Sequence, residues 1–296
     1  MNAPIGVVGL GIMGSAMAGH LIKAGYHVVG YDVRAVRLRE LRAAGGSAAK
    51  SCLDVGRQAH IVITSLPSAD ALAQTVDALK QGARHSQIVV ETSTLPIEAK
   101  RRARARLRAR GIELLDCPIS GTGAQARDKD IVVYASGTRR GYERVSTVLD
   151  GFTRAHYFVG PFGDGSKVKF VANLLVAIHN VAAAEALVLA MKAGLDARKV
   201  LELITDGAGN SRVLQLRGPM MVKGDYRKPT MTLATWQKDM AIIAEFARQV
   251  GVATPLFSAT GPIYAAAVTE RSGEDTAAVC AVLEEMAQYR RPRRVR

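Results

Sequence analysis

Three glycines near the start of the chain constrain the fold more than any other feature of the sequence. They form a GxGxxG motif, GLGIMG, which directly follows the apolar run of residues 5–9 and opens a helical pattern. Such an apolar run is typical of a buried strand. The spacing predicts a tight turn at Gly9, close approach of another molecule to the backbone at Gly11, and close packing of helix on strand at Gly14. The helix N-terminus behind the turn would present free N–H groups to a diphosphate.

An aspartate at the end of the second predicted strand supports the same interpretation. Asp32 lies eighteen residues beyond Gly14, where a carboxylate can bind the adenosine ribose of a dinucleotide. Because this carboxylate would repel a 2′-phosphate, Asp32 favours NAD over NADP, while Arg34 and Arg37 keep NADP possible. The predicted dinucleotide contacts of this segment are Gly9, Leu10, Gly11, Ile12, Met13, Gly14 and Asp32.

Strand-like and helix-like segments alternate as far as residue 160. This alternation is typical of a parallel, doubly wound sheet. After Gly165 the pattern changes, because residues 166–193 form a single helical pattern without glycine or proline and only helical patterns follow. The predicted fold class is therefore α/β, with an N-terminal Rossmann-type doubly wound sheet and an all-α C-terminal domain entered by one long helix. We expect residues 1–162 to bind the dinucleotide, and residues 163–296 to serve substrate binding and oligomerisation.

Five groups of motifs, in a characteristic order and at characteristic intervals, carry a family resemblance. They are GVVGLGIMGSAMA at 6–18, SLP at 65–67 with ETSTLP at 91–96, DCPISG at 116–121, GDGSKVKFVANLL at 163–175, and WQKDM at 236–240. In these segments the chain resembles the β-hydroxyacid dehydrogenases, the family of 3-hydroxyisobutyrate dehydrogenase and tartronate semialdehyde reductase. The resemblance covers nearly the whole chain.

The resemblance implies a role for particular residues. Lys169 matches the family's catalytic lysine, and Asn173 matches the asparagine four residues later. The remaining matches are Ser120, Gly121 and Thr122 in the substrate loop, Leu66, Pro67 and Thr94 beside the nicotinamide half of the cofactor, and Lys238 closing over the cofactor.

The chemistry that the resemblance implies suits these residue types. Hydride transfer to a carbonyl leaves an alkoxide, and Lys169 would supply its proton or accept it in the reverse direction. Asn173 shares a helix face with Lys169 and could orient it. The hydroxyl of Ser120 and the N–H of Gly121 could hold a substrate carboxylate. We therefore expect hydride transfer between a nicotinamide cofactor and a small β-hydroxy acid or semialdehyde.

Two departures from the family pattern lie near the expected substrate. The family usually has Ser-Gly-Gly where this chain has Ser120, Gly121 and Thr122, and commonly Asn-Asn where this chain has Ala172 and Asn173. These departures are compatible with the same chemistry, but they do not support any one substrate name.

Two other functions remain open. One is an imine-reducing relative on the same fold, although such relatives generally replace the catalytic lysine and Lys169 is present. The other is a non-enzymatic nucleic-acid scaffold, since the formal net charge is +14 and arginines cluster at 101–110 and 290–296. A scaffold has no need of the pair Lys169 and Asn173, and the arginines lack interleaved aromatic residues.

The remaining features exclude other classes of protein. The three cysteines, Cys52, Cys117 and Cys280, show neither a disulfide framework nor a metal motif, and no metal is predicted. Polar residues interrupt the longest weakly charged stretch, so no membrane span is expected. The chain start runs straight into the first strand without a leader pattern, which favours the cytoplasm. The apolar faces of the long helix suggest a homo-oligomer, either a dimer or a tetramer.

Overall fold

The computed structural model of the chain describes residues 3–82 and 86–291. Part of the basic C-terminal cluster, residues 292–296, therefore lies outside the described residues. The chain divides into two compact units, Met1–Lys169 (unit 1) and Phe170–Arg296 (unit 2). The predicted division at 162/163 and its assignment of roles stay predictions.

Unit 1 contains one large sheet in which most neighbouring strands are parallel. The strand order is β3-β2-β1-β4-β5-β6-β8-β7, and β9 pairs with β8. The strands are β1 Ile5–Val8, β2 Val28–Tyr31, β3 Ser47–Ala48, β4 Ile61–Thr64, β5 Ile88–Glu91, β6 Glu113–Asp116, β7 Ile119–Ser120, β8 Val132–Ser136 and β9 Ala155–Gly160.

The sheet departs from the predicted parallel arrangement at β8, which is antiparallel to both β6 and β7. A parallel crossover usually needs a helix of substantial length. The connection from β6 to β8 holds only β7 and a helix of five residues, so the chain returns antiparallel instead.

Helices cover both faces of this sheet. They are α1 Ile12–Lys23, α2 Ala35–Ala43, α3 Cys52–Gln58, α4 Ala69–Gly82, α5 Ile97–Arg108, α6 Gly123–Arg127 and α7 Arg139–Phe152. Successive strand residues point to opposite faces. Val7 and Ile63 accordingly pack in the core beneath α1 and α7, whereas Val8 and Val62 pack in the core beneath α3, α4 and α5. Burial on both faces explains why these strands are apolar without alternation.

Unit 2 is helical, apart from a single isolated bridge between Thr232 and Asp275, throughout its described part. Its helices are α8 Asp164–Lys192, which begins in unit 1, then α9 Ala197–Asp206, α10 Arg212–Lys223, α11 Leu233–Gln249, α12 Pro255–Arg271, a 3-10 turn Thr276–Ala278 and α13 Val279–Met286. The predicted fold class is confirmed, including the single long helix that enters the all-α part.

The helix α8 is long and apolar enough to cross a membrane, judged by length and composition alone. The expectation that this helix does not span a membrane rests on its polar residues and stays a prediction. Half of its most apolar stretch is buried within the chain, and Asn173 and Asn180 are almost wholly enclosed. Buried, hydrogen-bonded polar groups of this kind are typical of a core helix in a soluble protein, and we describe α8 as such.

Candidate cofactor and catalytic site

The glycine turn, residues 9–14, joins β1 to α1. Each of its three glycines has a different structural environment. Gly9 has a φ of +88°, and a Cβ there would lie 2.1 Å from the carbonyl oxygen of Ser65. A Cβ at Gly14 would lie 1.8 Å from the carbonyl oxygen of Gly9. A Cβ at Gly11 would have no heavy atom of the described residues within 4 Å, its two chain neighbours aside. The fold itself thus requires Gly9 and Gly14, whereas Gly11 leaves open space above the backbone.

The N-terminus of α1 begins at that open space. Gly11 is its N-cap, and no side chain caps the helix among the described residues. Leu10 is fully buried and Met13 packs against the core, whereas Ile12 is 59% exposed. Backbone groups of this turn, more than the side chains of Leu10 and Met13, can therefore contact a ligand. Open space, free N–H groups and the positive end of a helix fit a diphosphate.

Asp32 lies just after β2 and holds the glycine turn in place. Its Oδ2 accepts a hydrogen bond from the N–H of Leu10 at 2.8 Å. Its Oδ1 accepts one from the N–H of Arg34 at 2.9 Å, and the Arg34 side chain lies 3.4 Å away. Arg37 is paired with Glu40 at 2.7 Å. A carboxylate has about four acceptor positions, so Asp32 keeps capacity for ribose hydroxyls.

Two loops at the carboxyl ends of neighbouring strands are tied together. The β4 loop, residues 65–67, and the β5 loop, residues 92–96, follow strands that are paired in register. The N–H of Leu66 donates to Oγ of Ser93 at 2.8 Å, and the hydroxyl of Thr92 donates to the carbonyl of Thr64 at 2.7 Å. The β4 loop also contacts the glycine turn through Ser65. Leu66, Pro67 and Thr94 therefore lie at the same sheet edge as the glycine turn.

A buried ionic cluster that sequence reasoning missed lies behind the β5 loop. Nζ of Lys100 lies 2.6 Å from Oε2 of Glu91 and 2.7 Å from Oδ1 of Asp116, and all three side chains are fully buried. Burial alone would lower the pKa of Lys100, but the carboxylates of Asp116 and Glu91 outweigh it and raise that pKa. Desolvation, together with the charge of Asp116, raises the pKa of the adjacent Cys117 thiol.

The first turn of α8 is fixed to the sheet by the same cluster. Asp116 accepts hydrogen bonds at 2.8 Å from both the N–H and the hydroxyl of Ser166. Ser136 Oγ accepts from the N–H of Gly165 at 3.0 Å. A Cβ at Gly165 would lie 2.4 Å from the carbonyl oxygen of Tyr134, so only glycine permits this approach. Lys169, three residues beyond Ser166, is 8% exposed.

The predicted substrate loop combines a glycine in a left-handed conformation with a structural cap, and a Cβ at Gly121 would lie 2.7 Å from Cγ2 of Ile131. Gly121 has a φ of +139°, and Ser120 is half-buried at the end of β7. Thr122 forms a capping box with Gln125 at the start of α6. The N–H of Thr122 donates to Oε1 of Gln125 at 3.0 Å. Of Ser120, Gly121 and Thr122, Thr122 therefore already uses its backbone N–H in a hydrogen bond within the chain. The spacing Thr-x-x-Gln in the sequence indicates this capping box.

The predicted residues of unit 2 converge on one carboxylate. Nδ2 of Asn173 donates to Oδ2 of Asp239 at 3.0 Å, and Nζ of Lys238 lies 3.4 Å from Oδ1 of the same side chain. Asp239 is 5% exposed. Sequence reasoning included Asp239 in a motif but assigned it no role, because its contact with Asn173 spans 66 residues.

Asn180, which continues the same face of α8, serves the helix bundle. It donates to the hydroxyl of Tyr264 at 2.9 Å and to the carbonyl of Thr276 at 2.8 Å. Among residues 3–82 and 86–291, no group of three or more His, Cys, Asp or Glu side chains could hold a metal ion.

A mostly parallel sheet with a glycine turn, a helix N-terminus and an acidic residue after the second strand defines a dinucleotide-binding protein. Residues 4–160 match the family model described as the NAD binding domain of 6-phosphogluconate dehydrogenase. Residues 163–283 match the one described as NAD-binding of NADP-dependent 3-hydroxyisobutyrate dehydrogenase. The chain belongs to this family of β-hydroxyacid dehydrogenases, and the predicted resemblance is confirmed.

Individual relatives agree with this assignment. The chain is 32% identical over 288 residues to the L-threonate dehydrogenase of Cupriavidus necator, with 94% of this chain and 95% of that protein covered. The crystal structure of 3-hydroxyisobutyrate dehydrogenase from Salmonella typhimurium has a TM-score of 0.86 at 29% identity, covering 95% of this chain and all of that one. The solved structure of the Mycobacterium tuberculosis 3-hydroxyisobutyrate dehydrogenase with L-serine has a TM-score of 0.87 at 27% identity. The match covers 96% of this chain and 99% of that one.

Imine reductases share the fold at greater distance, as the enzyme from Streptomyces aurantiacus shows with a TM-score of 0.66 at 21% identity. The chain is an NAD(P)-dependent oxidoreductase that acts on the hydroxyl group of a small hydroxy acid. The expectations of a nicotinamide cofactor and of a small-molecule substrate are confirmed at this level.

Proposed function

We propose that Lys169 is the general acid and base of this dehydrogenase. The observation that carries the proposal is the placement of Lys169: it is almost fully enclosed near the start of α8, one turn beyond Ser166, and Ser166 is hydrogen-bonded to Asp116. The bound cofactor supplies or receives the hydride. Lys169 donates a proton to the substrate oxygen in the reducing direction and removes it from the hydroxyl in the oxidising direction.

Asn173 is the second catalytic residue of this proposal. It lies one helical turn beyond Lys169, so both side chains share a face of α8. Asp239 holds its amide through one N–H. In this proposal the second N–H donates to the reacting oxygen, and the carbonyl oxygen of the amide accepts from the lysine.

The proposed cofactor contacts combine backbone and side-chain groups. The diphosphate binds at Gly9, Leu10, Gly11, Ile12, Met13 and Gly14, the ribose at Asp32, the nicotinamide half at Leu66, Pro67 and Thr94, and Lys238 closes over it. We infer a preference for NAD, because the carboxylate of Asp32 repels a 2′-phosphate and Arg37 is paired with Glu40. NADP remains possible through the partly exposed Arg34.

The proposed substrate is a β-hydroxy acid of three to five carbons or the matching semialdehyde. Ser120 and the N–H of Gly121 hold its carboxylate, and Thr122 shapes the loop through its cap on Gln125. Relatives named for L-threonate and for 3-hydroxyisobutyrate make these two acids the first compounds to test.

Specific observations argue against the two alternatives, imine reduction and a nucleic-acid scaffold. Imine reduction is not favoured, because Lys169 is present. The basic helix α5 is partly neutralised, since Arg101 pairs with Glu98 and Arg106 pairs with Asp77. Arg104 lies over the ring of Phe162 at 4.8 Å. These contacts favour a solvated helix over a nucleic-acid surface.

We also propose the wider setting of the enzyme. Residues 1–162 form the dinucleotide-binding domain and residues 163–296 the domain for substrate and oligomerisation. The chain acts in the cytoplasm, without a membrane, as a dimer or tetramer. Exposed apolar side chains on α8, among them Val171, Leu175 and Leu189, support self-association.

The test is a spectrophotometric screen of hydroxy acids, semialdehydes and cyclic imines with both cofactors. We expect turnover of a small hydroxy acid or semialdehyde with NAD(H). Turnover of cyclic imines alone, or salt-sensitive DNA binding without any turnover, would contradict the proposed function.

A further inference from the structure

A buried ammonium group connects two parts of unit 1 to which the proposed function assigns catalytic roles. They are the loops assigned to the nicotinamide and the start of α8. Lys100 extends from α5 to the carboxylates of Glu91 and Asp116, at 2.6 and 2.7 Å. Neither carboxylate belongs to α5: Glu91 ends β5 and Asp116 ends β6. The backbones of these two strands are paired at Glu91 and Asp116, and Lys100 adds a bridge between their two carboxylates.

On one side, Glu91 fixes the two loops assigned to the nicotinamide half of the cofactor. Its Oε1 accepts a hydrogen bond from the N–H of Ser93 at 2.9 Å. Oγ of Ser93 accepts in turn from the N–H of Leu66 at 2.8 Å. A shift of Glu91 would thus move the β5 loop, with Thr94, and the β4 loop together.

On the other side, Asp116 fixes the start of the catalytic helix. Its two oxygens accept from the N–H and the hydroxyl of Ser166. The hydroxyl of Ser136, which accepts from the N–H of Gly165, lies 3.2 Å from the same carboxylate. A shift of Asp116 would thus move the first turn of α8, and Lys169 with it.

Stability alone does not account for this cluster. Enclosing one ammonium and two carboxylates away from water is costly, and well-packed apolar side chains often serve as well or better. The cluster carries a net charge of −1 when all three groups are ionised, one positive against two negative. Without the ammonium, the two carboxylates would face each other unneutralised.

We propose that Lys100 is a positioning residue for hydride transfer. Its ammonium group holds the two carboxylates that fix the loops assigned to the nicotinamide and the first turn of α8, which lies one turn before Lys169. This inference rests on the proposed roles of Thr94 and Lys169. Lys100 contributes no proton to the reaction and acts through Glu91 and Asp116.

The variant Lys100→Met tests this role, because methionine fills similar space without a charge. We expect kcat to fall by about 10²-fold, since small misplacements of reacting groups have effects of that size. Binding of ADP-ribose, which lacks nicotinamide, should change much less than binding of NADH, because its proposed contacts are the glycine turn and Asp32 and not the β5 loop. Binding of NADH should weaken, because the β5 loop is displaced.

The pH dependence gives a second readout. In Lys100→Met, the like charges of Glu91 and Asp116 face each other without a counter-charge. A proton bound between the two carboxyl groups at low pH removes their repulsion, and loss of that proton restores it. The ratio of wild-type to variant kcat should therefore increase as pH rises.

The matched control is Arg291→Met, which removes a guanidinium that pairs with Glu284 and donates to the carbonyl of Val222 in unit 2. It should lower the melting temperature while kcat and its pH profile stay as in the wild type. The double variant Lys100→Met/Glu91→Gln keeps the net charge of −1 and serves if the single variant fails to fold. It should lose the new pH dependence but keep a kcat well below that of the wild type.

A kcat within threefold of the wild type in Lys100→Met, or in the double variant, would overturn the inference. Equal weakening of ADP-ribose and NADH binding would also overturn it, because that pattern indicates general damage to unit 1. An active wild type with an unaffected variant contradicts the role of Lys100 alone. A wild type without turnover on any compound of the panel contradicts the proposed function and this inference together.

Discussion

Gly14 packs so closely on Gly9 that a Cβ at position 14 would lie 1.8 Å from the carbonyl oxygen of Gly9. Gly11, in the same turn, has no such neighbour. The motif therefore separates into glycines that the fold needs and one that leaves space for a ligand. This division makes the site testable by the smallest possible substitution.

Gly11→Ala should leave the fold intact and weaken cofactor binding, because its methyl group would occupy the space assigned to the diphosphate. Gly14→Ala should destabilise unit 1 instead, since the methyl group would overlap the backbone. Thermal unfolding and NADH titration of both variants separate the two effects. A fully stable Gly14→Ala, or unchanged NADH affinity in Gly11→Ala, would be incompatible with this division.

Asp32→Asn should shift the cofactor preference towards NADP. The amide oxygen can still accept from the N–H of Leu10, while the charge that repels a 2′-phosphate is lost. Charged hydrogen bonds contribute about 1.5–3 kcal/mol, so the ratio of NAD to NADP affinity should fall by roughly tenfold or more. Lys238 and the glycine turn are unchanged in this variant. An unaltered ratio would show that Asp32 does not discriminate the two cofactors.

Asp239→Asn should lower kcat, because Asn173 and Lys238 lose the charge that holds both of them. Loss of one such orienting contact is expected to lower kcat by roughly tenfold. Glu270→Gln, an exposed change on α12, provides the control and should have no effect. Steady-state kinetics measure kcat for both variants. Equal kcat values for Asp239→Asn and Glu270→Gln would exclude an orienting role for Asp239.

The thiols should react slowly in the native protein. Burial raises the pKa of Cys52, and that of Cys280 to about 12, and the Cys117 pKa is raised as well. A raised pKa lowers the thiolate fraction at neutral pH, and the thiolate is the reactive form. Labelling with a thiol reagent at pH 7 should proceed much faster after denaturation. Rapid labelling of all three thiols in the folded chain would contradict this expectation.

Sequence periodicity predicted the elements of the fold better than the contacts of the site. The apolar strands and the long helix α8 follow from local patterns that the structure reproduces. The antiparallel return of β8 depends on the length of a connection, and no periodicity records it. Local chemistry could have shown that Thr122 caps α6, because the capping box with Gln125 is visible in the sequence.

Long-range polar contacts could not be predicted in the same way. Lys100 directly precedes an arginine-rich run and resembles one more surface cation, yet it is fully buried between two carboxylates. Asp239 meets Asn173 from a distant helix. Such pairings depend on how the elements pack, and a single sequence carries no periodic signal for them.

The most direct test of the account is Lys169→Ala, assayed for turnover and for NADH binding in the same preparation. Because general acid–base catalysis contributes typically 10²–10⁴-fold, we expect kcat to fall by about that factor. The affinity for NADH should stay close to that of the wild type, because the glycine turn and the β5 loop are unchanged. Normal turnover in Lys169→Ala would contradict the assignment of Lys169 as the proton donor and acceptor.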